Sequence, residues 1–389
     1  MQRFFFALAL TVFTSHATKA AGPRDPLDGF FGELMKVTTS KQEREQVRIA
    51  WYGDSAIISD GYTGTVRERL QGRFGDAGPG FVLAAPTFEG YLRQGVRLKR
   101  QGWDSSSVLS GTLSSGLYGF GGVVATGMSG ASATFEAKAP IKAFEIFYEK
   151  SAKVGRIEII HGSAKAAAAT VDTTGSGSDV YRYVPEGETS ELKTLKIRAM
   201  GGAVRVYGVV LESADRGVQL DAIGILGIRA RRWLNADAAH LKGQVAQRKP
   251  DLIVLNFGGN ERVDPGLKKA AHVADLEKTL AALRAGAPDA ACLVIGPIAH
   301  GVEEGAKVVL DPALATIYEA QREFAASAGC GFFDTLEAMG GKKALKSWRD
   351  KKLLSGDYAH LTTKGHQELG KLIADWLEAG YDNAKKARP

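Results

Sequence analysis

The sequence lacks the motifs that would assign its 389 residues to several large classes of protein. It contains two cysteines, no Cys-x-x-Cys pair, no His-Glu-x-x-His motif and no carboxylate-rich calcium loop. The glycine-rich stretch 116–130 has neither the lysine nor the strand-helix context of a phosphate-binding loop. We therefore expect no metal and no cofactor.

Long runs of one charge and long apolar runs are also missing. The 50 lysines and arginines exceed the 43 acidic residues, but they form no basic stretch, so no nucleic-acid partner is expected. This surplus of positive charge is consistent with a loose electrostatic attraction of the protein to an anionic polymer. The apolar run from Phe4 to Phe13 is shorter than the roughly 20 residues that span a bilayer.

That run has the layout of a signal peptide. Arg3 precedes it, and Thr18-Lys19-Ala20 follows as a small-residue cleavage site. We predict a signal peptide over residues 1–20 and a periplasmic or secreted protein with no stable membrane insertion after cleavage. A transmembrane anchor is the alternative interpretation of the same run.

The two cysteines, Cys292 and Cys330, leave two interpretations open. Both lie in apolar, strand-like segments, so they are either two buried thiols or a disulfide formed in an oxidising compartment. The sequence does not predict the oligomeric state.

The sequence pattern changes twice along the chain, and the length exceeds what one core usually fills. Residues 21–85 begin an α/β unit, because Val47–Tyr52 is typical of a buried strand and Val66, Leu70 and Phe74 recur at helical spacing. Residues 86–215 contain short alternating runs between glycine and serine turns, which predicts an inserted all-β sandwich module. Residues 216–389 return to strand-helix alternation, which predicts a three-layer α/β fold with a parallel sheet.

Three short blocks carry the chemistry: Gly53-Asp54-Ser55, Gly258-Gly259-Asn260-Glu261 and Asp357-Tyr358-Ala359-His360. The first two follow strands, and the third lies in the loop before the last helix. Ligands of such sheets bind where the loops beyond the carboxyl ends of the strands converge. We therefore expect the three blocks to meet in one site.

The residue types in these blocks are those of a serine hydrolase. A serine hydroxyl needs a neighbouring base, an imidazole can take and return the proton, and a carboxylate can orient the imidazole. We predict Ser55 as the nucleophile, His360 as the base and Asp357 as the orienting acid. Taken alone, the first block could be a common turn, and Asp357 with His360 could be a helix cap beside a surface histidine.

Four of the other histidines are assigned to a helix face or to the site from their place in the sequence. His240, His272 and His366 lie on predicted helices, and we expect them on solvated faces. His300 follows Gly-Pro-Ile in a loop on the same side as the three blocks, so it is a candidate for contact with substrate.

These blocks, together with LDAIGILGIRARRWL before PDLIVLNFGGNE and DYAHLTTKGHQELG at the end, resemble the SGNH (GDSL-type) hydrolase family. The resemblance implies a flavodoxin-like three-layer fold and an oxyanion hole made by the Ser55 amide, the Gly227 amide and the Asn260 side chain. Ile228 stands where the family usually has a small residue, so Gly224 is the alternative to Gly227. The position of the β-rich segment is similar to that in peptidoglycan O-acetylesterases.

The resemblance implies an exported serine esterase that removes O-acetyl groups from a cell-envelope or extracellular polysaccharide, with peptidoglycan as one candidate. Transfer of the acyl group to a sugar is the catalytic alternative, because it uses the same acyl-enzyme. A non-catalytic carbohydrate-binding envelope protein is the alternative from another class. The expected partner is an acylated polysaccharide or peptidoglycan.

Overall fold

The structure, a computed structural model, describes residues 25–39, 45–152, 155–185 and 192–388. The predicted signal peptide lies outside these ranges. No helix within them combines the length and the apolar character that crossing a bilayer requires.

The α-helices pack mainly against the parallel sheet, and two of them, α2 and α7, are only four residues long. In chain order they are α1 (Asp28–Thr38), α2 (Ser55–Ile58), α3 (Gly61–Phe74), α4 (Ala238–Arg248), α5 (Lys269–Arg284), α6 (Ala313–Ala328), α7 (Thr335–Ala338), α8 (Ala344–Asp350) and α9 (Thr363–Ala387). Three 3-10 turns lie at Ala230–Asn235, Glu261–Val263 and Gly341–Lys343.

The strands fall into a parallel sheet, an antiparallel sheet and one hairpin. In chain order they are β1 (Gln46–Gly53), β2 (Gly80–Val82), β3 (Val96–Ser107), β4 (Val123–Ala137), β5 (Ala143–Lys150), β6 (Gly155–His161), β7 (Ala169–Asp172), β8 (Gly177–Tyr183), β9 (Thr194–Gly201), β10 (Val204–Glu212), β11 (Gly217–Gly224), β12 (Leu252–Asn256), β13 (Ala291–Ile295), β14 (Gly301–Glu304), β15 (Lys307–Leu310) and β16 (Gly331–Phe333).

The parallel sheet has the order β11-β1-β12-β13-β16. Its central strands β1 and β12 consist mostly of apolar residues and are buried on both faces, as parallel strands covered by helices must be. Alternate residues of β1 face opposite layers, with Ile49 and Trp51 on one side and Ala50 and Tyr52 on the other. Helices α1, α3 and α9 cover the first side, and α4, α5 and α6 cover the second. The predicted mixed α/β fold with a parallel sheet is confirmed.

The residues from Gly80 to Glu212 form the antiparallel sheet, which has nine strands. Its main order is β7-β6-β9-β4-β10-β5-β8, with β2 on β10 and β3 on β4. The long strand β4 pairs with β10 through residues 125–127 and with β9 through residues 132–136, so it changes neighbours along its length.

The two large sheets share one hydrophobic cluster. Tyr52 at the end of β1 contacts the ring of Trp233 at 4.8 Å and that of Phe120 at 5.9 Å between centroids. Phe120 in turn contacts Phe81, and Phe81 contacts Phe147 in the antiparallel sheet. A continuous line of aromatic side chains therefore joins the two sheets.

Buried polar contacts join the sheets as well. The Arg93 guanidinium donates to the carbonyl oxygens of Phe81 and Ala222 and pairs with Asp60 at 3.3 Å. The Phe81 amide donates to Asp221 of β11 at 2.7 Å. Since an unsatisfied buried polar group costs free energy, these bonds fix how the sheets meet.

The two cysteines are joined in a disulfide. Cys292 lies on β13 and Cys330 immediately before β16, with Cα atoms 4.7 Å apart and a sequence separation of 38. The structure thus favours the disulfide over the two buried thiols that the sequence left open.

The disulfide is expected to stabilise the fold, because a closed loop of this length removes about 4 kcal/mol of chain entropy from the unfolded state. Urea unfolding with and without a reductant measures the effect, and the reduced protein should unfold at lower urea. Two free thiols in unreduced, denatured protein would contradict the bond.

Candidate active site

The three blocks meet at the carboxyl edge of the parallel sheet. In this sheet β11 lies on one side of β1 and β12 lies on the other. The chain segments that follow the carboxyl ends of these strands therefore lead away from β1 in opposite directions. Such a point opens a crevice beyond the strand ends. Ser55 follows β1, Asn260 follows β12, and the loop with His360 precedes α9.

Ser55 is held at the start of α2 by its neighbours. The Asp54 carboxylate accepts a hydrogen bond from the Ala56 amide at 2.9 Å and so caps the short helix. A side chain at Gly53 would lie 2.8 Å from the Asn256 carbonyl oxygen, so the close contact between β1 and β12 requires glycine. The serine hydroxyl therefore sits in a sharp turn at the cavity.

His360 and Asp357 form a direct pair. The imidazole Nδ1 lies 2.6 Å from Asp357 Oδ2. Because a carboxylate only accepts, Nδ1 carries the proton, and Nε2 keeps the lone pair that a general base needs. Partial burial acts to raise the pKa of Asp357, but hydrogen bonds from Ser355, from the Ala359 amide and from His360 outweigh it and lower that pKa.

The loop that carries this pair is locked into an uncommon backbone conformation. Tyr358 has a φ of 53°, in the left-handed region that residues other than glycine seldom adopt. The Gly301 amide donates to the Tyr358 carbonyl oxygen at 2.8 Å, and the Tyr358 amide donates to Ser355 at 3.2 Å. These bonds hold a turn in which Asp357 reaches His360. Ser355 was missed in the sequence analysis, because a serine before an aspartate carries no distinctive signal.

The loop after β12 presents Asn260. Gly258 begins it with a φ of 115°, a backbone conformation that suits glycine. The Asn260 Nδ2 donates to the Ile228 carbonyl oxygen at 3.0 Å. An amide nitrogen has two N–H groups, so the second is left for a ligand while the first fixes the side chain.

The two glycines proposed for the oxyanion hole lie in different settings. Gly224 ends β11 and is paired with Gly53, and its Cα is packed against Ile58. Gly227 lies in the turn after β11, with a φ of 75° and open space beside its Cα. The bond from Asn260 to Ile228 joins this turn to the site, although Gly227 is outside the set of residues that line the cavity.

A cavity of about 150 Å³ lies between the three blocks. Ser55, Asn260 and His360 all line it, as the sequence predicted for one shared site. The wall also includes Asp54 of the first block and three residues that were not predicted to lie there: Asn256, Arg262 and His366. No group of three or more potential metal ligands occurs in the described parts of the chain.

Two buried carboxyl groups support the site. Glu261 accepts hydrogen bonds from the Ala230 amide at 2.8 Å and the Gly258 amide at 2.9 Å, and so joins the two loops beside Asn260. Burial raises the pKa of Glu261 to about 7, with a further contribution from the charge of Asp54. Burial likewise raises the pKa of Asp54 to about 6, against the effect of its amide donors and of His360.

Glu261→Gln is expected to flatten the dependence of stability on pH. The carboxyl releases its proton near pH 4.5 in the unfolded chain and near pH 7 in the folded chain. Between these values the folded state binds more protons, so the free energy of unfolding falls as the pH rises. Melting temperatures at pH 5 and pH 8 measure the slope, with Glu319→Gln on the exposed side of α6 as the control. A slope in Glu261→Gln equal to that of the wild type would contradict this assignment.

Three of the four other histidines that were assigned positions differ from the expectation. His300 lines the cavity, as predicted, and its Nδ1 donates to the Ile298 carbonyl oxygen at 2.9 Å. The prediction of solvated faces was wrong for His240 and His272, which are buried, and for His366, which lines the cavity and stacks on Tyr62. A helical position alone does not tell which neighbouring element covers it.

Comparison with known proteins finds that one segment of the chain is similar to a known family. Residues 198–368 match the GDSL-like Lipase/Acylhydrolase family model, which confirms the resemblance predicted from the sequence. The matched segment includes Asn260, Asp357 and His360 but begins after Ser55. No curated protein matches the chain.

One solved structure shares the fold over most of the chain, and two others are similar to a smaller part of it. A peptidoglycan O-acetylesterase structure is similar with a TM-score of 0.78 at 24% identity, over 91% of this chain and 96% of that chain. A lipase/acylhydrolase from Enterococcus faecalis has a TM-score of 0.32 at 19% identity, over 42% of this chain and 77% of that chain. A carbohydrate esterase family 3 protein from Talaromyces cellulolyticus has a TM-score of 0.32 at 18% identity, over 44% and 74%. The last two similarities are too low to bear on function.

Proposed function

Because this chain carries a GDSL-type lipase/acylhydrolase segment and has Ser55, Asn260 and His360 around one cavity, we propose that it is an exported serine esterase. Its substrate is an O-acetylated polysaccharide of the cell envelope or the extracellular space, with peptidoglycan as the first candidate. The observation that carries the proposal is the Asp357–His360 pair at the mouth of the cavity that contains Ser55.

The proposed mechanism has two steps. The Ser55 oxygen bonds to the acetyl carbonyl carbon while its proton passes to Nε2 of His360, and the sugar oxygen then leaves with that proton. Water repeats the sequence on the acetyl-enzyme and releases acetate. Asp357 stabilises the imidazolium that forms in each step, which fits its low pKa.

The oxyanion formed in each step is held by the Ser55 and Gly227 amides and the Asn260 side chain in this proposal. Asn260→Ala is expected to lower kcat about 10²–10³-fold with little change in KM, because the donor bonds an oxygen that becomes charged only in the transition state. Steady-state kinetics with 4-nitrophenyl acetate measures both constants. A change confined to KM would remove Asn260 from the oxyanion hole.

The size of the cavity favours a short acyl group. A volume of about 150 Å³ suits an acetyl group better than a fatty acyl chain. Purified protein should hydrolyse 4-nitrophenyl acetate faster than the octanoate ester. Faster turnover of the octanoate would move the proposal toward a lipase.

The substrate is tested by acetate release from a panel of O-acetylated glycans, with peptidoglycan first and Ser55→Ala as the blank. Release above the blank supports the proposal. An added glycan acceptor that becomes acetylated while free acetate falls would indicate the transferase alternative. No turnover of any ester would favour the carbohydrate-binding protein.

Export is proposed from the amino-terminal pattern of residues 1–20 and agrees with the disulfide, since disulfides persist in oxidising compartments. Mass spectrometry of protein from the periplasm or medium tests it. A first residue near Ala21 is expected.

A further inference from the structure

Arg262 is the one lysine or arginine among the described residues that line the catalytic cavity. It lies two positions after Asn260, in the 3-10 turn Glu261–Val263. Its guanidinium donates one hydrogen bond, from Nη1 to Asp311 Oδ2 at 2.6 Å, while Nε is enclosed and has no acceptor in the described residues. Because a guanidinium has five N–H donors, most of them remain unused.

Three buried arginines use more of their donors than Arg262 does. Arg67, Arg93 and Arg248 each donate three hydrogen bonds to carboxylate, amide or carbonyl oxygens of the protein. An enclosed Nε without an acceptor in the described residues also occurs in Arg48, Arg93 and Arg284. Arg262 differs because its unused donors belong to a side chain in the cavity wall.

The carboxylate that pairs with Arg262 has a second hydrogen-bond partner. Asp311 lies at the amino terminus of α6 and accepts a second hydrogen bond from the Ala313 amide at 2.9 Å. Its charge is therefore shared with the dipole of a 16-residue helix. The Asp311 amide also donates to the His300 carbonyl oxygen at 2.9 Å, which joins Arg262, Asp311 and His300 into one wall.

His300 complements the cation in this wall. Since Nδ1 donates to the Ile298 carbonyl oxygen, Nε2 is the ring nitrogen left as an acceptor. Burial, and then the charge of Arg262, lower the pKa of His300 to about 4, so the ring is neutral at physiological pH. The wall thus combines cationic donors with a neutral acceptor, which suits a ligand that carries both a carboxylate and hydroxyl groups.

We propose that Arg262 forms an anion subsite that binds a carboxylate on the sugar next to the scissile ester. This inference rests on the proposed esterase function and deepens it, because it makes the substrate class an O-acetylated acidic sugar. A guanidinium and a carboxylate form some of the strongest hydrogen bonds in proteins, because both partners are charged.

The test compares two ligands that differ in charge and hardly in shape. The disaccharide of N-acetylglucosamine and N-acetylmuramic acid carries a lactyl carboxylate, and its lactyl carboxamide is the neutral match. Calorimetry on the Ser55→Ala protein measures binding without turnover. We expect the acid to bind about tenfold more tightly than the amide at low salt.

Substitution of Arg262 should abolish that preference. In the Ser55→Ala background, Arg262→Gln is expected to bind the acid and the amide equally, and Arg262→Met serves as a second variant of similar size if the first does not fold. Arg231→Gln is the matched control, because Arg231 pairs with Asp264 at 2.8 Å and lies outside the cavity wall. It should keep the preference of the parent protein.

Two results would overturn the subsite: equal binding of acid and amide by the Ser55→Ala protein, or a preference that survives in the folded Arg262 variants. A failure of the proposed esterase function would appear in a different measurement, because the wild type would then hydrolyse neither 4-nitrophenyl acetate nor glycan esters. The binding experiment does not depend on that result, because Ser55→Ala cannot turn over in either case.

Discussion

Ser55→Ala and His360→Ala are each expected to lower kcat by a factor on the order of 10⁵–10⁶, and the double variant is expected to be no slower than either. The reason is that the serine oxygen attacks only when the imidazole takes its proton, so the loss of one partner disables the other. The structure supports this unit through the His360–Asp357 bond of 2.6 Å, which leaves Nε2 free to act.

Burst and steady-state kinetics with 4-nitrophenyl acetate measure these losses. His161→Ala, on β6 in the antiparallel sheet, is a control for the removal of an imidazole outside the cavity. Neither catalytic substitution should change the melting temperature much, because both side chains meet the cavity rather than the core. Additive losses in the double variant would mean that Ser55 and His360 do not share one proton transfer.

Replacement of residues 86–215 by a short glycine-serine linker is expected to abolish cooperative folding. The segment includes Phe120 and Phe147, which cover the buried side chains Tyr52 and Phe81. Each large apolar side chain that becomes exposed costs about 1.5–3 kcal/mol. Several such losses equal the total stability of about 5–15 kcal/mol that a domain possesses.

The same deletion removes Arg93 and leaves Asp60 with fewer partners at a fully buried position. Circular dichroism and thermal unfolding measure the outcome. Replacement of the exposed loop 163–167 by glycine and serine is the control, because it removes no buried side chain. A deletion variant that folds and hydrolyses 4-nitrophenyl acetate would instead show that the α/β part is independent.

Because removal of the β-rich segment is expected to unfold the protein, the deletion does not test how the segment acts on substrate. If the segment brings polymer to the catalytic edge, its role has to be tested by surface substitutions that leave the shared core intact. Remote contacts of this kind should affect long substrates and not 4-nitrophenyl acetate, because only a long substrate reaches them.

Local patterns in the sequence predicted much of the architecture. The buried strand at Val47–Tyr52 and the helix with Val66, Leu70 and Phe74 appear as β1 and α3, because burial imposes a period that is visible over a few residues. The hairpin of β14 and β15 was not predicted. Its short strands are partly exposed and therefore carry a weak apolar pattern.

The sequence by itself determined that the first two blocks follow strands and that the third precedes the last helix, and this order predicted that Ser55, Asn260 and His360 meet at one edge of a parallel sheet. Only the tertiary structure decided the rest of the site: the burial of Glu261 beneath Asn260, and the positions of Arg262 and His366 in the cavity wall. It also decided the disulfide and the core shared by the two sheets. These features depend on contacts between distant segments, and burial, pKa and hydrogen-bond partners arise from such contacts rather than from the residues next in sequence.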